Sequence, residues 1–286
     1  MGEGWDMALR VPLPSLARIA ALLAAAMLIA VAAPGSLRAQ QLPDVVDMRV
    51  LPGWRTAEGV HIAALELRLE PGWITYWRNP GEAGIPPQFD WRRSRNLEGV
   101  EIVWPAPHVK IESGLRSIGY SDLLILPLRV LPARAGGDVT LKGRVEIGVC
   151  RDICVPVDLR VSGTLPGGAR RPDPRIVAAL ASQPESAAEA GVRRVACRMS
   201  PIEGGLGLRA EIDLPGAAGY DTAVVEVGNP QIWVAPAVTE RQGDRLIAQT
   251  RLYHAEGRSF ALDRRGIRIT VLGPSRAIDI RGCAAG

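Results

Sequence analysis

Apolar and polar residues alternate along much of this chain, and this period of two restricts the possible folds more than any other feature. Between positions 65 and 70, the apolar residues Leu65, Leu67 and Leu69 alternate with charged ones. Successive side chains of a β-strand point to opposite faces, so the stretch predicts a strand with one buried face and one exposed face.

The same alternation recurs on both sides of a proline- and glycine-rich break near position 166. Further strands are predicted before the break at 45–51, 88–91, 100–104, 123–130, 139–149 and 155–161, and after it at 192–199, 206–214, 223–227, 232–234, 246–252, 266–271 and 277–280. Short strands at this spacing indicate immunoglobulin-like sandwiches of about 100 residues. We therefore expect an all-β protein with two immunoglobulin-like β-sandwich domains, at 42–165 and 192–286.

The segment 166–191 between the two predicted domains interrupts the alternation. Asp173 can cap a helix with its side chain, and Pro174 suits the first helical position. Pro184 breaks the rest of the segment. It is therefore predicted to be a linker with a short helix.

The N-terminus has the layout of a signal peptide. Arg10 and Arg18 precede an apolar run from Ile19 to Ala33, and the stretch Ser36–Ala39 follows with a small residue, Ala39, at the expected cleavage site. The run is shorter than the roughly 20 residues of a spanning helix. We expect a signal peptide at 1–39, cleaved near Ala39, and a mature protein in the periplasm; an uncleaved anchor is the alternative.

The charge balance argues against a nucleic-acid partner. Basic and acidic residues nearly cancel, at 34 against 30. A nucleic-acid footprint needs clustered Lys and Arg with interleaved aromatics, and the sequence has no such run. We expect no nucleic-acid binding.

The four cysteines of a secreted protein are expected to form disulfides. Spacing favours one bridge between Cys150 and Cys154 and another between Cys197 and Cys283. An extended strand would hold the first pair roughly 13 Å apart, whereas a disulfide needs Cα atoms about 4.4–6.8 Å apart. The chain must therefore turn within 151–153, where Asp152 suits a turn.

Loop-closure entropy separates the two predicted bridges. Closing five residues stabilises a fold by about 2 kcal/mol, and closing 87 residues by about 4.6 kcal/mol. Cys197–Cys283 is therefore predicted to be a structural bridge. The short Cys150–Cys154 bridge adds little stability, which favours an exchangeable disulfide; an inert turn disulfide is the alternative. Neither cysteine lies at a predicted helix N-terminus, so we expect the pair to be attacked by a partner's thiolate.

The first predicted domain carries a series of local motifs. They are PGWITYWRNPG at 71–81, WPAP at 104–107, GY at 119–120, LPL at 126–128 and CRDICVP at 150–156. Together these motifs resemble the periplasmic N-terminal domain of the DsbD and ScsB type of thiol-disulfide interchange proteins. The resemblance covers roughly Leu42 to Leu165.

The resemblance implies an immunoglobulin-like fold and an electron relay that works through mixed disulfides. Electrons would arrive from a thioredoxin-like domain of a separate membrane carrier and leave to oxidised periplasmic thiol proteins, as in a protein-disulfide reductase system. By analogy, Cys154 is the sulfur that partners attack and Cys150 resolves the intermediate. Gly119 and Tyr120 fall near the family's cap loop, so Tyr120 is the candidate shield of the disulfide; a partly buried core tyrosine is the alternative.

Two departures from the family pattern stand out. The best-known members space these cysteines more widely than C-x-x-x-C, and the present chain ends without the transmembrane and thioredoxin-like parts of full-length members.

Two other functions remain open from the sequence. A reduced Cys150/Cys154 pair could hold Cu(I), with His108 as a third ligand. Paired sandwiches also serve as non-redox interaction modules. The predicted relay itself needs no metal and no small-molecule cofactor.

Overall fold

The computed structural model describes residues 45–82, 84–112, 114–215, 221–274 and 276–286. The predicted signal peptide at 1–39 lies outside the described residues. Asp44–Gly286 form one compact unit that contains four β-sheets.

The first half of this unit consists of a four-stranded and a six-stranded sheet. The strands are β1 (Val46–Arg55), β2 (His61–Leu69), β3 (Ile74–Gly81), β4 (Gln88–Asp90), β5 (Leu97–Ile102), β6 (His108–Glu112), β7 (Leu115–Ser121), β8 (Leu123–Pro132), β9 (Val139–Cys150) and β10 (Cys154–Leu165). The four-stranded sheet has the order β1-β2-β8-β5. The six-stranded sheet has the order β10-β9-β3-β7-β6, and β4 pairs with β9 beside β3.

Both sheets of the first half contribute side chains to one shared core. Leu65 of β2 and Leu128 of β8 come from the four-stranded sheet, and Trp77 of β3 and Val149 of β9 come from the six-stranded sheet. All four are inaccessible to solvent. The alternation of β2 and β9 therefore marked the faces that meet in this core.

Strand β3 was not among the strands that the alternation predicted. Thr75, Tyr76 and Trp77 are consecutive and all buried, so both faces of this strand are covered. A strand buried on both faces has no alternation to detect. The strand is nevertheless central to the six-stranded sheet, between β9 and β7.

The predicted linker helix is present as α1, at Pro174–Ala181. The Asp173 side chain accepts a hydrogen bond from the Arg175 amide, and Pro174 occupies the first turn, as expected. Ile176 is fully buried against Leu51 and its neighbours on the four-stranded sheet. The helix therefore packs on the outer face of the first half.

The second half repeats the arrangement of a four-stranded and a six-stranded sheet. The strands are β11 (Glu185–Ser186), β12 (Arg194–Ile202), β13 (Gly205–Asp213), β14 (Thr222–Val227), β15 (Ile232–Val234), β16 (Val238–Gln242), β17 (Arg245–His254), β18 (Ile267–Leu272), β19 (Ala277–Arg281) and β20 (Ala284–Ala285). Their orders are β11-β19-β18-β14 and β15-β17-β13-β12-β20, and β16 also pairs with β17. Strand β11 belongs to the predicted linker but pairs in parallel with β19.

The two halves contact each other through strands β14 and β18 of the second half. Val224 and Leu272 of the second half pack with the core of the first half. The Arg78 guanidinium on β3 donates hydrogen bonds to both carboxylate oxygens of Glu226 and to Thr270. A mostly buried, bidentate ion pair of this kind fixes the halves with directional bonds.

The prediction of an all-β protein is confirmed, since the described residues consist mainly of strands, with one short α-helix, α1, and one 3-10 turn at Arg264–Gly266. The finer assignment of both halves to the immunoglobulin-like type stays a prediction. Within the described ranges, no helix is long and apolar enough to cross a bilayer.

Candidate functional site

Cys150 and Cys154 lie at the two ends of a tight hairpin that joins β9 to β10. They face each other in the antiparallel register and form a disulfide with a Cα–Cα distance of 4.2 Å. The Arg151 amide donates a hydrogen bond to the Ile153 carbonyl and closes the turn at 3.2 Å. The chain therefore turns within 151–153, as the spacing of the cysteines requires.

The two cysteines differ in their accessibility. Cys150 is only 4% exposed, whereas Cys154 is exposed. The adjoining Ile153 is 63% exposed, which places an apolar side chain in solvent beside the accessible sulfur. A thiolate from solvent can therefore approach Cys154 but not Cys150.

Tyr76 of β3 contacts both sulfurs of this disulfide. Its hydroxyl donates a hydrogen bond to Cys150 Sγ at 2.7 Å and lies 3.3 Å from Cys154 Sγ. The position follows from the sheet register, because Ile74 pairs with Cys150 and Tyr76 is two residues further along the same face. Val149 points to the core, so this face is the outer face of the six-stranded sheet.

Two glycines make room for the Tyr76 ring. A Cβ atom on Gly148 would lie 3.2 Å from the ring and 2.7 Å from the Ile85 Cβ. A Cβ atom on Gly84 would lie 2.6 Å from the ring and 2.3 Å from the Pro80 Cβ. The segment that contains Gly84 and Ile85 therefore covers Tyr76 from the outside, which explains why an outward-facing tyrosine is only 3% exposed.

Arg151 is a residue of the turn, and its guanidinium is contacted from two sides. Its guanidinium lies 5.3 Å from the Trp73 ring centroid, within the range of a cation–π contact. It also forms an ion pair with Asp152 at 3.0 Å. Gly72 adopts a positive φ of 82°, and a Cβ atom there would lie 3.3 Å from Arg151 Cδ. The loop 70–73 thus passes directly against the hairpin.

The structure places the cap-loop candidates Gly119 and Tyr120 on β7. Tyr120 is 7% exposed within the core, and its hydroxyl donates a hydrogen bond to the Pro105 carbonyl at 2.8 Å. Burial raises the pKa of Tyr120 well above its usual value. A Cβ atom on Gly119 would lie 2.0 Å from the Thr75 carbonyl oxygen, so glycine permits the close pairing of β7 with β3. A cap-loop role for these residues stays a prediction, whereas the aromatic hydroxyl at the disulfide belongs to Tyr76.

Cys197 and Cys283 form the second disulfide, with a Cα–Cα distance of 5.7 Å. Cys197 of β12 is fully buried, and Cys283 is half-buried just before β20. Strand β20 then pairs in parallel with β12. This bridge ties the end of the chain to the core of the second half.

The residues that could hold a metal do not come together around the cysteine pair. His108 is exposed on the edge strand β6, opposite Gly119. The described part of the chain contains no group of three or more His, Cys, Asp or Glu side chains in metal-binding proximity.

Tyr76 lies within the motif at 71–81, but nothing in the sequence alone indicates its role at the disulfide. The hydrogen bond to Cys150 spans 74 residues along the chain. The one feature of the sequence that relates to this contact is the pair of glycines, Gly84 and Gly148, which leave space for the Tyr76 ring. They can be interpreted in this way only when the register of β3 against β9 is known.

Comparisons with known proteins agree with this geometry. The family model described as "Thiol:disulfide interchange protein DsbD, N-terminal" matches residues 47–166, from the start of β1 to the end of β10. Over these residues the chain is similar to the DsbD N-terminal family. Both cysteines of the hairpin and the whole environment of Tyr76 lie inside the matched residues. None of the curated proteins matches the chain.

Among solved structures, the N-terminal periplasmic domain of ScsB from Proteus mirabilis is similar over 86% of this chain and 96% of that chain. Its TM-score is 0.62 at 19% sequence identity, so the likeness concerns the fold. Because it covers 86% of the chain, the likeness extends beyond residues 47–166 into the second half. A protein of unknown function from Porphyromonas gingivalis W83 has a TM-score of 0.20, which supports no argument.

Proposed function

We propose that the protein is a periplasmic relay of thiol-disulfide interchange and that Cys150 and Cys154 carry the exchange. The DsbD N-terminal match and the disulfide at the hairpin support interchange as the reaction. One observation supports the division of roles: Cys154 is exposed, whereas Cys150 is buried under the Tyr76 hydroxyl.

Reduction of the pair proceeds in two exchanges. A partner thiolate attacks Cys154 Sγ, a bond forms between the two sulfurs, and the Cys150–Cys154 bond breaks with its electron pair on Cys150. The partner's second thiolate then attacks the partner sulfur of the mixed disulfide and releases Cys154 as a thiolate. The partner leaves as a disulfide, and the cysteine pair has gained two electrons and, on protonation, two protons.

Tyr76 assists the first exchange at the departing sulfur. Negative charge develops on Cys150 Sγ while the bond to Cys154 breaks, and the Tyr76 hydroxyl already points to that atom at 2.7 Å. Hydrogen bonds to charged acceptors are stronger than those to neutral ones, so this contact strengthens as the thiolate forms. The hydroxyl thereby lowers the barrier to opening the disulfide.

The reduced pair passes its electrons on by the reverse chemistry. The Cys154 thiolate attacks the disulfide of an oxidised periplasmic thiol protein, and Cys150 resolves the mixed disulfide. The donor is a thioredoxin-like domain of a separate membrane carrier, and the protein acts as a component of a protein-disulfide reductase system. No metal or small-molecule cofactor enters these steps.

Two single-cysteine variants test the division of roles. In Cys150→Ser the free Cys154 thiol is exposed, and in Cys154→Ser the free Cys150 thiol is buried. Each is mixed with a thioredoxin-like domain whose nucleophilic cysteine carries thionitrobenzoate and whose resolving cysteine is serine. Release of the chromophore reports formation of the mixed disulfide.

We expect Cys150→Ser to form the mixed disulfide at least tenfold faster than Cys154→Ser, because only its thiol reaches the partner. Equal rates, or faster capture by Cys150, would overturn the assignment. If neither variant forms a mixed disulfide, the relay itself is wrong.

A further inference from the structure

The outer face of the six-stranded sheet in the second half holds an arginine-lined depression, which we call the arginine depression. Its three guanidinium groups come from adjacent strands: Arg198 of β12, Arg209 of β13 and Arg251 of β17. The register places Arg198 opposite Arg209, and Gly207 opposite Arg251. The neighbours Cys197 and Leu208 point to the core, so these arginines point away from it.

The placement of the positive charges is unfavourable without a ligand. Like charges directly opposite each other on neighbouring strands destabilise a sheet. Arg209 hydrogen-bonds Glu211 on its own strand, and Glu211 also pairs with Arg245. Among the described residues, no carboxylate pairs with Arg198 or Arg251. Two unneutralised guanidinium groups therefore border the same depression.

The shape of the depression also fits a small ligand. Its volume is about 440 Å³, and its lining includes Gly207, which has no side chain and lies between Ser200 and Arg251 in the sheet register. The Ser200 hydroxyl and the Gln249 amide add neutral hydrogen-bonding groups to the lining. One side of the depression is bordered by the segment that starts at Ala235. The Ala235 amide donates a hydrogen bond to the Arg251 carbonyl, and the Ala235 carbonyl accepts one from the Thr250 hydroxyl. These two hydrogen bonds attach the segment to β17.

We propose that the arginine depression binds the phosphate group of a small molecule. A guanidinium donates two parallel hydrogen bonds to a phosphate, and several such forks suit its doubly charged, tetrahedral oxygens. The depression is in the second half and uses neither cysteine, so the binding is a property in addition to disulfide exchange.

The phosphate could be free or part of a monoester, and the neighbouring aromatic pair distinguishes the two. Trp233 is 58% exposed and stacks on Tyr253 with ring centroids 5.9 Å apart. Tyr253 is two residues beyond Arg251 on the same face of β17. An organic group attached to the phosphate can therefore lie against Trp233, whereas free phosphate cannot use this contact.

Isothermal titration of the full protein tests the site, first with inorganic phosphate and then with phenyl phosphate, at constant ionic strength maintained with sodium chloride. We expect saturable binding of one phosphate per chain. Tighter binding of phenyl phosphate assigns the site to a monoester, and equal binding assigns it to free phosphate. Absence of saturable binding of both probes overturns the proposal.

Three variants tie the binding to the arginine depression. Arg198→Gln should weaken binding about tenfold or more, the loss expected for a hydrogen bond to a charged group. Arg160→Gln, at an exposed arginine of β10, is the matched control and should stay within twofold. Gly207→Ala keeps every charge but adds a Cβ atom 3.2 Å from Ser200 Oγ within the lining, and it should weaken binding severalfold.

Equal affinity in Arg198→Gln and Arg160→Gln would overturn the proposed location. Disulfide exchange by the same variants should equal that of the native protein. Failure at the arginine depression is thereby separated from failure of the relay.

Discussion

The Tyr76 hydroxyl lies 2.7 Å from Cys150 Sγ and 3.3 Å from Cys154 Sγ, so one side chain contacts both sulfurs of the exchangeable disulfide. Tyr76→Phe keeps the ring in its place and removes the hydroxyl. We expect the reaction with a reduced thioredoxin-like domain to slow about tenfold, because the departing Cys150 thiolate loses a hydrogen bond. Stopped-flow fluorescence measures this rate.

Tyr253→Phe is the matched control for Tyr76→Phe, because Tyr253 is in the second half and stacks on Trp233. Its exchange rate should equal that of the native protein. An unchanged rate in Tyr76→Phe would contradict the assisting role of the hydroxyl, and a fall in both variants would point to a general structural effect.

The space beside Tyr76 depends on Gly148. In Gly148→Ala the new Cβ atom would lie 2.7 Å from the Ile85 Cβ and 3.2 Å from the Tyr76 ring, so one of these groups must move. Overpacking of this kind costs about 1–3 kcal/mol of the free energy of unfolding, and displacement of Tyr76 should also slow exchange. Urea denaturation and the exchange assay measure the two effects.

Gly99→Ala controls for the loss of a glycine from a strand. Gly99 is in β5, and a Cβ atom added there would have no other atom within 4 Å. We expect Gly99→Ala to change the free energy of unfolding by less than about 0.5 kcal/mol, as for most open surface sites. Similar losses in both variants would mean that Gly148 makes no special space for Tyr76.

The sequence predicted strands where apolar residues alternate with polar ones. Leu65, Leu67 and Leu69 alternate with charged residues, and β2 is a strand, although Glu66 on its second face is buried as well. Strand β3 was not predicted, because the segment around Gly84 covers its outer face and both faces are therefore buried. The periodicity of the sequence does not encode this contact. The turn at Cys150 and Cys154 was predictable from covalent geometry alone, whereas the contact with Tyr76 depends on the register of β3 against β9.

Glu66 is a buried carboxylate that anchors the linker helix. It is 1% exposed and forms ion pairs with Arg49, Arg68 and, from α1, Arg175. Burial by itself raises the pKa of Glu66, but the hydrogen bonds from Arg49 and Arg68 outweigh it and lower the pKa below its usual value. The carboxylate is therefore charged and fully paired in the folded protein.

Glu66→Gln should destabilise the protein by about 2 kcal/mol, because three arginines lose a buried anion while their own ends remain partly in solvent. Glu146→Gln is the control: Glu146 is 47% exposed and pairs with Arg144, so less than about 1 kcal/mol is expected. Urea denaturation at about pH 7.5 measures the free energy of unfolding of both variants. At this pH Glu66 is charged in both the folded and the unfolded chain of the native protein. Equal losses would mean that Glu66 contributes no more than a surface ion pair.

The two disulfides should respond differently to a glutathione redox titration. The Cys150–Cys154 bridge has one exposed sulfur and closes a short loop, whereas Cys197–Cys283 has a fully buried sulfur and closes a long one. We expect the first bridge to be reduced at a less negative potential, with Cys197–Cys283 still intact. Mass spectrometry of alkylated protein reports each bridge separately, and equal potentials would contradict the proposed relay.

His61 makes the stability of the first half depend on pH. It is fully buried, its Nε2–H donates to the Pro52 carbonyl at 2.6 Å, and its Nδ1 accepts from Arg55 at 3.2 Å. This arrangement requires neutral imidazole. Desolvation, followed by repulsion from Arg55 and Arg170, lowers the pKa of His61 below its ordinary value, although the Pro52 hydrogen bond opposes the shift.

Below about pH 6.5 the unfolded chain protonates His61 before the folded protein does. The unfolded state then binds more protons, so the free energy of unfolding falls as pH decreases through this range and is fully restored above it. Urea denaturation at about pH 7.5 and about pH 5.5, on either side of the ordinary histidine pKa, should show this loss in the native protein and a smaller one in His61→Gln. His108→Gln replaces an exposed histidine, and its loss of unfolding free energy between the two pH values should match that of the native protein. The same loss in all three proteins would mean that His61 is not the group responsible.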